Sequence, residues 1–312
     1  MERKILVAIG NTARDNTIIS YLAGLFPDRS EVSLHLLNIV PLHNVAESQQ
    51  LLGDPEQAVA SSPASLKKRA EARRYLNDLQ EKLRGAGFND ELIVGEVVFS
   101  YGSVSIPLLH HAQTGGYDAM ALAKRDLSLL EKMIGGSISA ELLRKNHAIP
   151  LWLVSGNPRP RNFLVPVDCS EHTLKAVDHL GYILRGDPAV EITLFHSCSL
   201  LAAEHITPRE KFHERWGRKW CDQHLKGDAD GHFHFSAAEQ ILKESGIPAN
   251  HIHRLLLDTG IEPAQIIVRE MKKRAYGTIV MGRRLDKEKN LSKGVSDRVL
   301  ANVNDAALWI VG

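Results

Sequence analysis

The sequence predicts two consecutive α/β domains, each a doubly wound, five-stranded parallel sheet. Three observations predict it. The chain repeats itself at a near-constant spacing over almost its whole length. Within each copy, short unbroken apolar runs alternate with segments of helical period. A polar stretch carrying proline and glycine separates the copies.

The repeat is read by sliding the chain along itself. "KILVAIGNT" (4–12) pairs with "NFLVPVDCS" (162–170), "VSLHLLNIV" pairs with the stretch ending "LFHSCS", and Gly102 pairs with Gly260, all at an offset of 158. "YDAMALAKR" (117–125) pairs with "YGTIVMGRR" (276–284) at 159, and the closing segments around "PLWLV" and "ALWIV" pair at 157. So steady an offset marks a duplicated domain, and its length is far beyond a solenoid period. "SGNPRPRN" (155–162) continues neither sheet nor helix and reads as the linker, giving domains over 1–155 and 162–312.

The elements follow in order. "ILVAI" and "FLVPV" are continuous apolar runs, as expected of parallel strands buried on both faces. Each leads through a polar turn into a helical period, and Ser170 is placed to cap the helix of "SEHTLKAVDHLGYIL". "VSLHLLNIV" and "EITLFHS" read as second strands. "SLKKRAEARRYLNDLQEKLRGAG" reads as a long helix stopped at Gly85 and Gly87. "LIVGEVVF" and "IHRLLLD" are third strands, "IPLLHHAQ" and "PAQIIVREMKKR" helices, "YDAMALA" and "YGTIVMG" fourth strands, and "PLWLV" and "ALWIV" fifth strands. In such sheets ligands sit beyond the carboxyl ends of the strands, where the winding direction reverses.

Composition narrows the function. At 312 residues and 44% hydrophobic content, each half can build its own core. With 38 basic and 37 acidic side chains there is no basic footprint for nucleic acid. Three cysteines, Cys169, Cys198 and Cys221, argue against a disulfide framework and for a reducing compartment. No apolar run reaches the roughly 18–20 residues of a membrane span, and the N-terminal run is too short for a signal peptide. The chain thus reads as soluble and cytoplasmic, without a membrane partner.

The loops after the fourth strands carry the chemistry. Each leaves a strand, carries glycine and hydroxyl residues, and opens a helix whose free N–H groups and dipole favour an anion. Gly136, Ser137 and Ser139 lie there in the first copy, Gly294 and Ser296 in the second, with Lys124, Arg125, Arg283 and Arg284 nearby. The alternative is that the serines only cap helices and the glycines only make turns.

These segments and the architecture resemble the universal stress protein family in its tandem, two-domain form, with Rossmann-like domains. The resemblance covers nearly the whole chain. It implies an ATP or AMP site, with magnesium accompanying ATP, built from Gly-x-x-Gly, nine residues, then Gly-Ser/Thr, plus an aspartate at the end of strand one that holds the adenosine. It also implies that fifth strands pair domains, so that "PLWLVSG" and "ALWIVG" would join the halves as a pseudo-dimer. The bland reading is that Trp152 and Trp309 are core residues.

Neither copy keeps the full pattern. In the first, Gly136-Ser137 and Ser139 are in register, but Ala123 and Asp126 replace the earlier glycines and Gly10 replaces the aspartate. A carboxylate at 126 repels phosphate and lacks glycine's freedom. The second keeps Asp168, Ser170 and Gly282, with Leu285 for the second glycine, a loop two residues shorter, and Lys293-Gly294 for Gly-Ser. The second half is therefore the favoured nucleotide site. There Asp168 would meet ribose or adenine, and Gly282, Arg283, Gly294 and Ser296 would cradle phosphates. Asp168 also suits a plain helix cap.

Other signals are weaker. Cys169 and Cys198 lie at adjacent strand ends, where buried thiols usually serve as small apolar residues. Seven histidines fall in 205–253 (His205, His213, His224, His232, His234, His251 and His253), and Cys221 and His224 are one helical turn apart, without the paired spacing of a zinc site. "REKFHERWGRKW" mixes basic and aromatic residues and reads as an amphipathic helix. No nucleophile elbow, P-loop or metalloprotease motif is present. The expectation is a stress-response binding module holding an adenine nucleotide. The alternative is a nucleotide-independent interaction scaffold. A slow ATPase ranks last, because no base or metal ligands stand out. A homodimer of the tandem unit is the expected assembly.

Overall fold

A computed structural model describes residues 2–42, 62–100, 104–124, 149–168, 170–198, 209–225, 233–258, 261–283 and 294–312. The chain divides into two compact units, Met1–Val154 and Ser155–Gly312.

The first unit contains β1 (Arg3–Ile9), α1 (Asp15–Leu25), β2 (Val32–Pro41), α2 (Pro63–Gly85), β3 (Ile93–Ser100), α3 (Ser105–Thr114), β4 (Ala119–Ala123) and β5 (Leu151–Val154). Its strands lie in the order β3-β2-β1-β4-β5, every neighbour parallel. Ile5, Leu6 and Val7 at the centre are fully buried, as the unbroken apolar run requires. The long helix α2 buries Ala72, Leu76, Leu79 and Leu83, a single stripe spaced three and four residues apart. Ser62 caps it by accepting from the Ser65 amide.

The second unit contains β6 (Asn162–Pro166), α4 (Glu171–Ile183), β7 (Glu191–Cys198), α5 (Arg209–Trp216), α6 (Arg218–His224), α7 (Phe233–Glu244), β8 (Ile252–Asp258), α8 (Pro263–Arg274), β9 (Thr278–Gly282), α9 (Val295–Asn302) and β10 (Ala307–Val311). Its order, β8-β7-β6-β9-β10, repeats that of the first unit, again all parallel. The winding reverses between β6 and β9: β7 and β8 extend the sheet to one side, and β9 and β10 to the other.

Trp152 and Trp309 are fully buried core residues. Trp309 meets Phe163 edge-on at 5.7 Å and the ring of His179 at 5.7 Å. Burial pushes the His179 imidazole down to about 3, so it is neutral at physiological pH. One expectation is corrected. "REKFHERWGRKW" forms two helices, not one, because Gly217 adopts φ +78° and ends α5 before α6 begins. The aromatic spacing survives the break, with Trp216 stacked on Trp220 at 5.9 Å and Trp220 against His224 at 4.9 Å.

Candidate functional site

In the second unit β6 ends at Pro166, and the chain turns through Val167 and Asp168 into α4. Ser170 is the N-cap of α4, accepting from the Thr173 amide at 3.3 Å. Asp168 organises this turn: its Oδ1 accepts from the Ser170 amide at 2.9 Å, from the Ser170 hydroxyl, and from Thr173 Oγ1 at 2.6 Å. A carboxylate at a helix start both satisfies donors that lack intrahelical partners and complements the helix dipole. His196, near the end of β7, fixes the strand end by donating from Nδ1 to the Val167 carbonyl at 2.8 Å.

β9 meets this turn closely. A Cβ on Gly282 would lie 2.3 Å from the carbonyl carbon of His172 and 2.7 Å from the Thr173 amide nitrogen. Only glycine lets the strand end approach the first turn of α4 so nearly. Arg283 follows, its amide bound to the Val311 carbonyl at 2.7 Å and its guanidinium 3.5 Å from Asp297 Oδ1. Gly294 is the N-cap of α9, and its amide donates to Asp297 Oδ2 at 3.3 Å. Ser296, in the first turn, is buried. The structure therefore gathers Asp168, Ser170 and Gly282 around the start of α4, and Arg283 and Gly294 around Asp297. Gly136, Ser137, Ser139, Asp126, Leu285 and Lys293 lie outside the described residues.

The first unit solves the same turn differently. Asp15, the first residue of α1, is fully buried and reaches back, with Oδ1 accepting from the Gly10 amide at 3.2 Å and Oδ2 from the Thr12 amide at 2.8 Å. Tyr75 of α2 donates to the Thr12 carbonyl at 2.6 Å beside it. Asn38 of β2 donates to the Ile9 carbonyl and to Asn11 Oδ1, both at 2.9 Å. Burial raises the Asp15 carboxyl, against the lowering effect of the two amides. At the offset of 158, Gly10 and Asp15 correspond to Asp168 and Thr173, so the carboxylate has changed places with its partner across the turn. Sequence reasoning singled out Gly10 and missed Asp15, Asn38 and Tyr75. The available signal was an acid at the head of a helix in "NTARDN".

A sequence profile of the universal stress protein family matches residues 1–155. The chain belongs to the universal stress protein family. Its fold agrees with that of a universal stress protein from Archaeoglobus fulgidus DSM 4304, with a TM-score of 0.61 at 16% identity, over 99% of this chain and 95% of that one. A universal stress protein solved in complex with cAMP aligns with 49% of this chain over 97% of its own, at 15% identity and a TM-score of 0.35. A family member from Burkholderia pseudomallei aligns with 48% of this chain over 94% of its own, at 19% identity and a TM-score of 0.32. No curated protein matches the chain. As a universal stress protein the chain has the family's α/β architecture in its first unit, and its second unit repeats that strand order.

The remaining sequence candidates separate. Cys169 and the side chain of Cys198 lie outside the described residues, as do His205, His232 and the side chain of His234. Cys221 is buried, and His224 packs on Trp220. His251 and His253 both contact Glu191, at 2.8 and 2.7 Å. Among the described residues no group of three His, Cys, Asp or Glu is arranged to hold a metal ion, and no helix is long and apolar enough to cross a membrane.

Proposed function

We propose that this universal stress protein binds an adenine nucleotide, ATP or AMP, in its second unit and couples occupancy to its surface shape or assembly. The observation that carries this reading is the convergence at the switch point of the second sheet. Asp168 follows β6, Gly282 closes β9 with Arg283 next to it, and Gly294 opens the helix after β9, so the elements flanking the reversal meet where doubly wound folds receive ligands. In this reading Asp168 faces the ribose or adenine, and Ser170 lines the same turn. Arg283, Gly294 and Ser296 receive the phosphates, with Asp297 giving up Arg283 and the Gly294 amide to them. Magnesium accompanies the phosphates if the ligand is ATP.

The second reading is a nucleotide-independent scaffold. It is favoured by the same hydrogen bonds seen from the other side: Asp168 Oδ1 already serves three donors, and Asp297 already holds Arg283 and Gly294. The two readings separate in one experiment. Freshly purified protein is denatured, the released small molecules are identified by liquid chromatography with mass detection, and the protein is titrated with ATP and AMP by calorimetry. A retained or titratable adenine nucleotide whose affinity is lost in Asp168→Ala supports the site. An empty supernatant together with no heat of binding at millimolar nucleotide favours the scaffold.

A further inference from the structure

Away from the switch point, on the first unit, two imidazoles converge on one carboxylate. His35 Nε2 of β2 lies 3.0 Å from Glu96 Oε2 of β3, and His111 Nε2 of α3 lies 3.5 Å from the same oxygen. The far nitrogens of both rings are also engaged, and they decide where the protons are. His111 Nδ1 lies 3.0 Å from the Pro107 carbonyl, which only accepts, so Nδ1 carries the hydrogen. A neutral His111 therefore turns a lone pair on Nε2 toward the Glu96 carboxylate. Only the doubly protonated ring presents an N–H there. His35 differs: its Nδ1 bonds the Tyr117 hydroxyl, which can donate, so a neutral His35 can carry its hydrogen on Nε2, 3.0 Å from Glu96 though not aligned as a hydrogen bond. Burial lowers the His35 imidazole, Glu96 opposing, in keeping with that neutral form.

We propose that His111, Glu96 and His35 form a proton-operated clasp, which holds α3 to the first sheet when His111 carries both protons and slackens when it carries one. Among the described residues, Lys4, Asp118 and Arg73 around this cluster are engaged elsewhere. From β1, Lys4 Nζ donates to the Gly115 carbonyl at 2.9 Å and stands 4.8 Å over the Tyr117 ring. Asp118, ahead of β4, accepts from the Lys4 amide at 2.7 Å. Arg73 of α2 donates to the Gly95 carbonyl at 2.7 Å, and His110 of α3 lies edge-on to His111 at 6.2 Å. At the positions that the sheet register and the helix repeat match to these, the second unit has Thr193, Leu255 and Arg269, so the clasp belongs to the first unit alone.

The test is hydrogen exchange of the full chain, followed in peptides from 105–114 at about pH 5.5 and about pH 7.5, which bracket the ordinary histidine range, with intrinsic rates corrected. The expected result is protection of α3 that is roughly two- to fivefold greater at the lower pH, the size of a partly exposed charge pair, with no matching change in α1. Glu96→Gln and His111→Gln both abolish that difference, and His111→Gln decides alone if Glu96→Gln fails to fold. Equal protection at the two pH values overturns the clasp, as does a pH effect that persists in His111→Gln. A rise in α3 protection at the higher pH on adding zinc, reversed by a chelator, also overturns it, because the carboxylate and lone pairs would then be bridged by a cation.

Discussion

Thr173 Oγ1 donates to Asp168 Oδ1 at 2.6 Å, joining the end of the first strand of the second unit to the helix that follows it. In the first unit the same two positions are joined in the opposite sense, by the Gly10 amide donating to Asp15. One carboxylate stitches each turn, carried by the strand end in one copy and by the helix in the other. The helix-borne version is fully buried, whereas Asp168 is only half-buried. The duplicated fold has thus kept the stitch in both units and a half-buried strand-end carboxylate in one.

Asp168→Ala removes the acceptor of three donors at the start of α4. It should lower the stability of the second unit by about 1–2 kcal/mol, the range of a lost cap and its hydrogen bonds, read as a shift of the denaturant midpoint at unchanged slope. Ser170→Ala, which removes the cap alone, should cost about 1 kcal/mol.

Gly282→Ala places a methyl group 2.3 Å from the His172 carbonyl carbon, against backbone that has no flexible end to move. Overpacking of this kind costs about 1–3 kcal/mol, and thermal unfolding of the second unit should shift accordingly. A variant of wild-type stability would show that β9 and α4 are not in this contact.

Nucleotide binding, where found, should saturate at a single molecule per chain. In the first unit the buried Asp15 already holds the Gly10 and Thr12 amides, and Gly10 stands after β1 where the second unit has Asp168. Calorimetric stoichiometry checks this, and a value near two would return the first unit to consideration.

Asp15 should reverse the usual acid response. Its folded carboxyl is raised above the ordinary value of 3.8, so the folded state binds the proton more tightly than the unfolded chain. The slope of stability against pH is then negative: its contribution is full below 3.8 and falls as pH rises through the raised folded value. Wild-type stability measured relative to Asp15→Asn should decline as pH rises through that window. A flat difference would show that the carboxyl titrates as it does in the unfolded chain.

His179 gives the opposite sign. Its folded value of about 3 lies below the ordinary 6.5, so the unfolded chain takes up the proton first. Stability of the second unit should fall as pH drops below 6.5 toward 3, and His179→Leu should remove that part of the acid response. Equal acid sensitivity in the variant would assign the loss to other groups.

The architecture was legible in the chain because its signals are local and stated twice. Unbroken runs such as "ILVAI" and "FLVPV" have no way to be stable except as strands covered on both faces, and the offset of 158 extends each assignment to its counterpart. Ser170 was legible as a cap for the same reason, since capping depends only on the next three residues.

Tertiary structure decided the rest, because the sites are made of residues that only folding brings together. Gly282 reads in the sequence as part of a phosphate loop, but its missing side chain is also what admits the backbone of His172, 110 residues earlier in the chain. Asp15 is inconspicuous until Tyr75 and the turn from Gly10 to Thr12 close around it. His35, Glu96 and His111 come from two strands and a helix, and no spacing along the chain announces them. The sequence by itself determined which segments become strands and helices and how often the pattern recurs, since these follow from short-range periodicity. Only the folded chain decided which carboxylate is fully buried, which is half-buried and which lies between two histidines, since burial and hydrogen-bond partnership depend on elements far apart in the chain.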